Sequence, residues 1–93
     1  MKTININESN GERVEVMALF NYSQAPCQPL YFRKRGGDEV EVTDTISQHI
    51  KFVGTSCIHI FKCLIGKRSC RLEFNSTTLS WTLFEAKSAR KSL

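Results

Sequence analysis

From Ser56 to Glu85, apolar and polar residues alternate through three successive runs. The breaks fall at Gly66-Lys67 and at Asn75-Ser76-Thr77-Thr78. Alternation with a period of two marks strands that turn one face to a core, so this stretch predicts three antiparallel strands. A two-residue loop at Gly66-Lys67 sets Ile65 opposite Arg68. It follows that Cys63 faces Cys70, Phe61 faces Leu72 and His59 faces Phe74. A loop from Asn75 to Thr78 sets Phe74 opposite Leu79, Leu72 opposite Trp81 and Cys70 opposite Leu83. Both registers select the same side of every strand, and one apolar sheet face emerges.

The rest of the chain extends this pattern. Thr3 to Asn7 alternates as a short edge strand would, and Asn10-Gly11 is a hairpin signal. Glu12 to Phe20 reads as a strand with Val14, Val16, Ala18 and Phe20 on one face. Asn21 to Pro29 reads as a loop, because prolines do not fit a central ladder. Leu30 to Arg35 is the next strand, turned by Gly36-Gly37-Asp38. A three-residue loop there pairs Phe32 with Val42 and Lys34 with Val40, which keeps the apolar residues together.

Glu39 to Val53 is long for one strand. A bulge or bend at Asp44-Thr45 or Ser47-Gln48 would let a small barrel close. A tight turn at Val53-Gly54-Thr55-Ser56 pairs Phe52 with Cys57, Ile50 with His59, Gln48 with Phe61 and Ile46 with Cys63. The whole predicts an all-β fold, an antiparallel meander of six or seven strands closing into a small barrel or a sandwich. Its inner set is Val14, Val16, Phe20, Leu30, Phe32, Val42, Ile50, Phe52, Phe61, Leu72, Phe74, Leu79, Trp81 and Leu83. Residues 1–86 form a single β-domain in this reading. Residues 87–93 are a basic C-terminal tail, which together with Ala86 is either a short helical turn or frayed.

Taken together, Val16-Met17-Ala18-Leu19-Phe20, Pro29-Leu30-Tyr31-Phe32, Gly36-Gly37, Val40-Glu41-Val42, Leu72-Glu73-Phe74 and Leu79-Ser80-Trp81-Thr82-Leu83 carry a resemblance. The pattern resembles that of short, uncharacterised bacterial all-β proteins with an aromatic strand, a glycine turn and a terminal Trp-x-Leu strand. Such proteins often place tryptophan where Lys34 stands. The resemblance implies a compact β-domain and brings no catalytic or binding residues with it.

Composition narrows the class. Ninety-three residues fit one domain with one modest core. Thirteen Lys and Arg against nine Asp and Glu give a net charge of +4, milder than the dense cluster of a strong nucleic-acid binder. The start of the chain carries no apolar segment of a secretory leader, and no apolar run is long enough to span a bilayer. A cytoplasmic location with reduced thiols is therefore the expectation for the four cysteines.

Three sets of residues are candidates for function. Cys57, His59, Cys63 and Cys70 are an acceptable zinc donor set or a thiol switch. However, Cys57 and Cys63 stand about 20 Å apart on an extended strand, at ~3.3 Å per residue, and there is no Cys-x-x-Cys knuckle. They read better as core residues, and no metal or other cofactor is expected. Arg33, Arg35, Lys62 and Arg71, with Tyr31 as a stacking ring, would make a weak single-stranded nucleic-acid face. Glutamates interleave with them, and a mixed solvated face accounts for the pattern.

Met17, Ile58, Ile60 and Leu64 lie on the outer side, where an apolar patch would dock a second copy or a protein partner. Neither His49 nor His59 adjoins a nucleophile motif, and no glycine-rich phosphate loop is present. The expectation is a non-enzymatic domain acting through protein contacts or self-association.

Overall fold

The computed structural model describes residues 11–21 and 24–85. Its strands are β1 (Glu12–Asn21), β2 (Gln24–Lys34), β3 (Glu39–Glu41), β4 (Asp44–Val53), β5 (Ser56–Ile65), β6 (Arg68–Asn75) and β7 (Ser80–Glu85). All seven join one antiparallel sheet in the order β3-β2-β1-β7-β6-β5-β4. The sheet curls into a half-barrel, and no helix occurs among the described residues. The fold is all-β, as the alternation predicts. The expected strand at Thr3 to Asn7, the Asn10 half of its turn and the C-terminal tail lie outside the described residues.

The two edge strands, β3 and β4, are consecutive in the chain, so Val42-Thr43 must pass from one edge of the sheet to the other. Val42 N donates to Leu30 O on β2 at 2.8 Å, and Thr43 N donates to Leu64 O on β5 at 2.9 Å. The Thr43 hydroxyl donates to Leu64 O at 3.1 Å and accepts from Gly66 N at 3.1 Å. This corner bends the long Glu39 to Val53 stretch and draws the sheet edges together. A register shift between Thr45 and Ser47 then leaves Ile46 as the extra residue of a bulge.

Glycines set the hairpins at both ends of β5. Gly54 has φ +61° and Gly66 has φ +68°, each at the first central position of a two-residue turn. As predicted, Phe52 pairs with Cys57, Ile50 with His59 and Gln48 with Phe61. The β5–β6 register also follows prediction from Ile65 and Arg68 to His59 and Phe74.

Two hairpins are displaced by two residues. Phe32 pairs with Val40 instead of Val42, because the chain needs more than a tight turn between Arg33 and Glu39. Phe74 pairs with Trp81 and Leu72 with Leu83, because Ser76 to Leu79 form the whole loop. That loop is held by Asn75 Oδ1, which accepts from Thr77 N at 2.9 Å and Thr78 N at 3.1 Å. Leu79 is placed in the left-handed region at φ 62°. A shift of two preserves the face, so the core pattern survives both displacements.

Residues 24–29 belong to β2 and not to a loop. The β1–β2 register skips Leu30 between the Met17–Tyr31 and Ala18–Pro29 pairs, and a bulge of this kind admits proline into a ladder. Pro29 is fully buried there.

The core joins Val14, Cys27, Phe32, Val42, Phe61, Cys63, Cys70, Leu72, Phe74, Trp81 and Leu83. Trp81 stacks on Phe74 with centroids 4.8 Å apart and lies 5.7 Å from Phe61. Each such side chain contributes about 1.5–3 kcal/mol when fully buried. Four members of the expected inner set are exposed: Phe20 at 59%, Ile50 at 52%, Phe52 at 73% and Leu79 at 73%. The reason is the flare of the half-barrel. The far end of β4 has no strand on its outer side among the described residues, and β1 continues past the end of β7.

Phe61→Ala should lower the unfolding free energy by about 3–5 kcal/mol. Phe52→Ala, on the neighbouring strand, should change it by less than about 0.5 kcal/mol. Urea titration followed by Trp81 fluorescence measures both.

Candidate functional site

The flare leaves an apolar mouth on the concave side. Phe20 on β1 meets Phe74 edge-on at 6.4 Å, and His59 on β5 lies 6.0 Å from the same ring. Ile50 and Phe52 stand opposite His59 and Cys57 across the β4–β5 hairpin. Alternation puts these side chains on one face, and they stand open to solvent at the edge that β4 forms among the described strands. Sequence reading assigned the face correctly but counted these residues as core. Only the strand order, which no local pattern encodes, identifies β4 as an edge.

The proposed metal set is divided by the core. Cys57 Sγ lies 3.6 Å from His59 Nε2. Cys63 and Cys70 face each other further along, beyond the Phe61–Leu72 pair. No group of three or more candidate ligands gathers among the described residues. His59 Nδ1 is buried without a partner, so no carboxylate orients the imidazole as a Cys–His nucleophile requires.

All four cysteines are free thiols. Cys63 and Cys70 fit that state, because Leu64 O turns toward Thr43 and so directs the Cys63 main chain toward β6. Their pair is then hydrogen-bonded, the wider of the two antiparallel spacings. Cys70 donates to Cys63, which raises the Cys70 thiol, with burial adding to the rise, and lowers that of Cys63. Burial pushes the Cys27 thiol up to about 11.

The basic candidates do not converge on one groove. Tyr31, Arg33 and Arg35 belong to β2 and its turn, whereas Lys62 and Arg71 sit on β5 and β6, with β1 and β7 between the two groups. Arg33 Nε donates to Glu15 Oε1 at 3.1 Å, and Glu39 stands opposite it. Glu15, by hydrogen bond and charge, holds the Arg33 guanidinium above its ordinary value. Arg71 lies 4.2 Å above the Phe84 ring, with its Nε 2.9 Å from Glu73. Tyr31 pairs with Met17 and Glu41 and is 37% exposed.

A separate cleft of about 620 Å³ at the end of β1 and β2 is lined by Arg13, Arg33, Lys34, Arg35 and Glu15, among others. Lys34, half-buried at this end, binds Glu85 at 2.8 Å, and Glu85 also holds Arg68 at 3.2 Å. The hydrogen bond to Glu85 raises the Lys34 ammonium above its ordinary value.

The residues of the expected self-association face are largely shielded. Ile60 is buried at 6% exposure, and Ile58 and Leu64 are half-buried. Met17 is exposed, but β7 and β6 separate its strand from β5. These four residues form no continuous open patch.

In the native protein a thiol reagent should modify Cys57 rapidly. Cys27, Cys63 and Cys70 should react only on unfolding, as mass spectrometry of pulse-labelled protein would reveal. Stability should also fall in alkali. A thiol raised in the folded state contributes fully below the unfolded value of 9.0 and progressively less as pH rises through about 11. Cys27→Val should flatten this decline, read as melting temperature between pH 8 and about 11.

No protein-family model, curated protein or solved structure matches the chain.

Proposed function

We propose that the protein is a non-catalytic β-domain that acts by docking a partner polypeptide at the mouth of its curled sheet. The observation that carries this reading is the exposure of Phe20, Ile50 and Phe52 around half-buried His59 and buried Phe74. An apolar group of this kind, collected at one end of a small domain, more often serves contact than chance. The expected interaction surface therefore moves from the convex side of β5 to the concave end of β4 and β1.

Other features support the same reading. The only close Cys–His pair among the described residues has no orienting third group. Free thiols at all four cysteines accord with a reducing compartment, so a cytoplasmic location belongs to this proposal, and a bacterial source enters it through the resemblance alone. No described helix is long and apolar enough to cross a membrane. Nucleic-acid binding has weaker support. Arg33, Lys34 and Arg71 already have carboxylate partners, and Arg33 and Arg71 lie on strands separated by two others.

Folded protein should enhance the fluorescence of anilinonaphthalene sulfonate, an apolar-surface dye. The double variant Phe20→Ser, Phe52→Ser should lose most of that signal while keeping the wild-type circular dichroism spectrum. Equal dye fluorescence from wild type and the folded double variant would count against the mouth as the docking surface.

A further inference from the structure

Building on that reading, we infer that the mouth takes an extended peptide as an additional strand on the vacant edge of β4, and that this peptide alternates apolar with acidic residues. Three observations converge on this partner.

The first is the state of the edge. β4 is ten residues long and, among the described residues, pairs only with β5. A long open edge bearing apolar side chains is a template for another strand, and proteins usually shorten, cover or charge such edges. Here Ile46, Ile50, Phe52 and Val53 are all at least half exposed.

The second is the phase of the ladder. Ser76 N donates to Cys57 O at 3.0 Å, so the Cys57 main chain faces β6. Its β4 partner, Phe52, therefore occupies a non-hydrogen-bonded pair. By alternation Phe52, Ile50 and Gln48 direct their N–H and C=O groups outward. The residues offering main-chain bonds to a new strand are thus those whose side chains line the mouth. An incoming strand would gain ladder bonds and apolar contacts from the same positions. Toward the other end of β4 a cleft of about 380 Å³, lined by Cys27, Gln28 and residues 44–48, continues the vacant edge beneath the start of β2.

The third is charge. On the convex side the exposed residues of β4 beyond the bulge include His49 and Lys51, with Lys62 opposite Ser47 on β5. No acidic residue occurs on β4 after Asp44. Directly opposed residues of neighbouring strands share a face. Acidic residues of the peptide would therefore face His49 and Lys51, and its apolar residues would face Ile50 and Phe52.

The test uses the full chain, labelled with ¹⁵N, and three synthetic peptides of equal length. One alternates valine with glutamate, one has the same composition with alternation broken, and one alternates valine with lysine. The valine–glutamate peptide should shift the resonances of β4 and slow amide exchange at Gln48, Ile50 and Phe52 by about tenfold or more, as newly bonded edge amides require. Both control peptides should bind at least about tenfold more weakly.

Ile50→Pro removes one outward N–H at a position where an edge strand tolerates proline, and should abolish binding. Lys51→Glu, at an exposed site, should invert the preference between the glutamate and lysine peptides, and it keeps the test open if the proline variant fails to fold.

Equal binding of the scrambled peptide, or binding at the mouth without slowed exchange at those three amides, would overturn strand addition and leave the docking reading standing. Concentration-dependent protection of the same amides without peptide would assign the edge to a second copy and overturn the partner class. If no peptide perturbs the mouth and the dye signal is also indifferent to Phe20 and Phe52, both readings fall.

Discussion

The fold depends on one corner, Val42-Thr43. Two residues carry the chain between the outermost strands of a seven-stranded sheet, and their amides are shared between β2 and β5. A flat sheet would place those partners far apart. Satisfying both amides therefore demands curvature, and curvature brings the inward faces of the strands into one cluster. Thr43 reinforces the constraint, because its hydroxyl bridges Leu64 O and Gly66 N. The hairpin turn at Gly66 is thereby tied to the corner.

Curvature applied at one corner decreases with distance from it. Near the corner Phe61, Cys63, Leu72 and Leu83 are excluded from water, whereas at the far end Phe20, Ile50 and Phe52 are not. Phe74 and Trp81 bridge the two regimes, one ring buried beneath His59 and Phe20 and the other packed toward Phe61. The opposite end of the sheet is managed electrostatically, with Glu85 shared by Lys34 and Arg68. Lys34 and Arg68 stay partly in water, so the triad contributes modest net stability, but it marks an end where a charged head replaces an apolar plug.

Sequence revealed the face of nearly every strand, because alternation survives any even slip of register. It revealed register itself only at Gly54 and Gly66, where a glycine at positive φ defines a two-residue turn. The Asn75 loop sits one residue later than its polar run suggested, since Leu79 takes a left-handed conformation that its side chain does not advertise. Pro26 and Pro29 argued for a loop, and the two register shifts of the β1–β2 ladder beside which they fall have no signature of their own. The apolar mouth was hidden for a different reason. Ile50 and Phe52 are patterned like core residues, and their exposure follows from strand order, a property of the whole chain. The basic residues were visible individually, but Glu15 and Glu39 face Arg33 from neighbouring strands and Glu73 pairs with Arg71 along β6, in ways that spacing alone does not fix.

The pairing of Val14 with Trp81 has a kinetic consequence. Strands β4 to β7 are joined by short hairpins, so their contacts are local and can form early. Strand β1 is synthesised first yet must wait for β7, almost the last described segment, before gaining its second neighbour. Loop-closure entropy is paid late and across nearly the full chain. Until then, the nascent β1–β3 unit leaves the ribosome with one side of β1 unpaired.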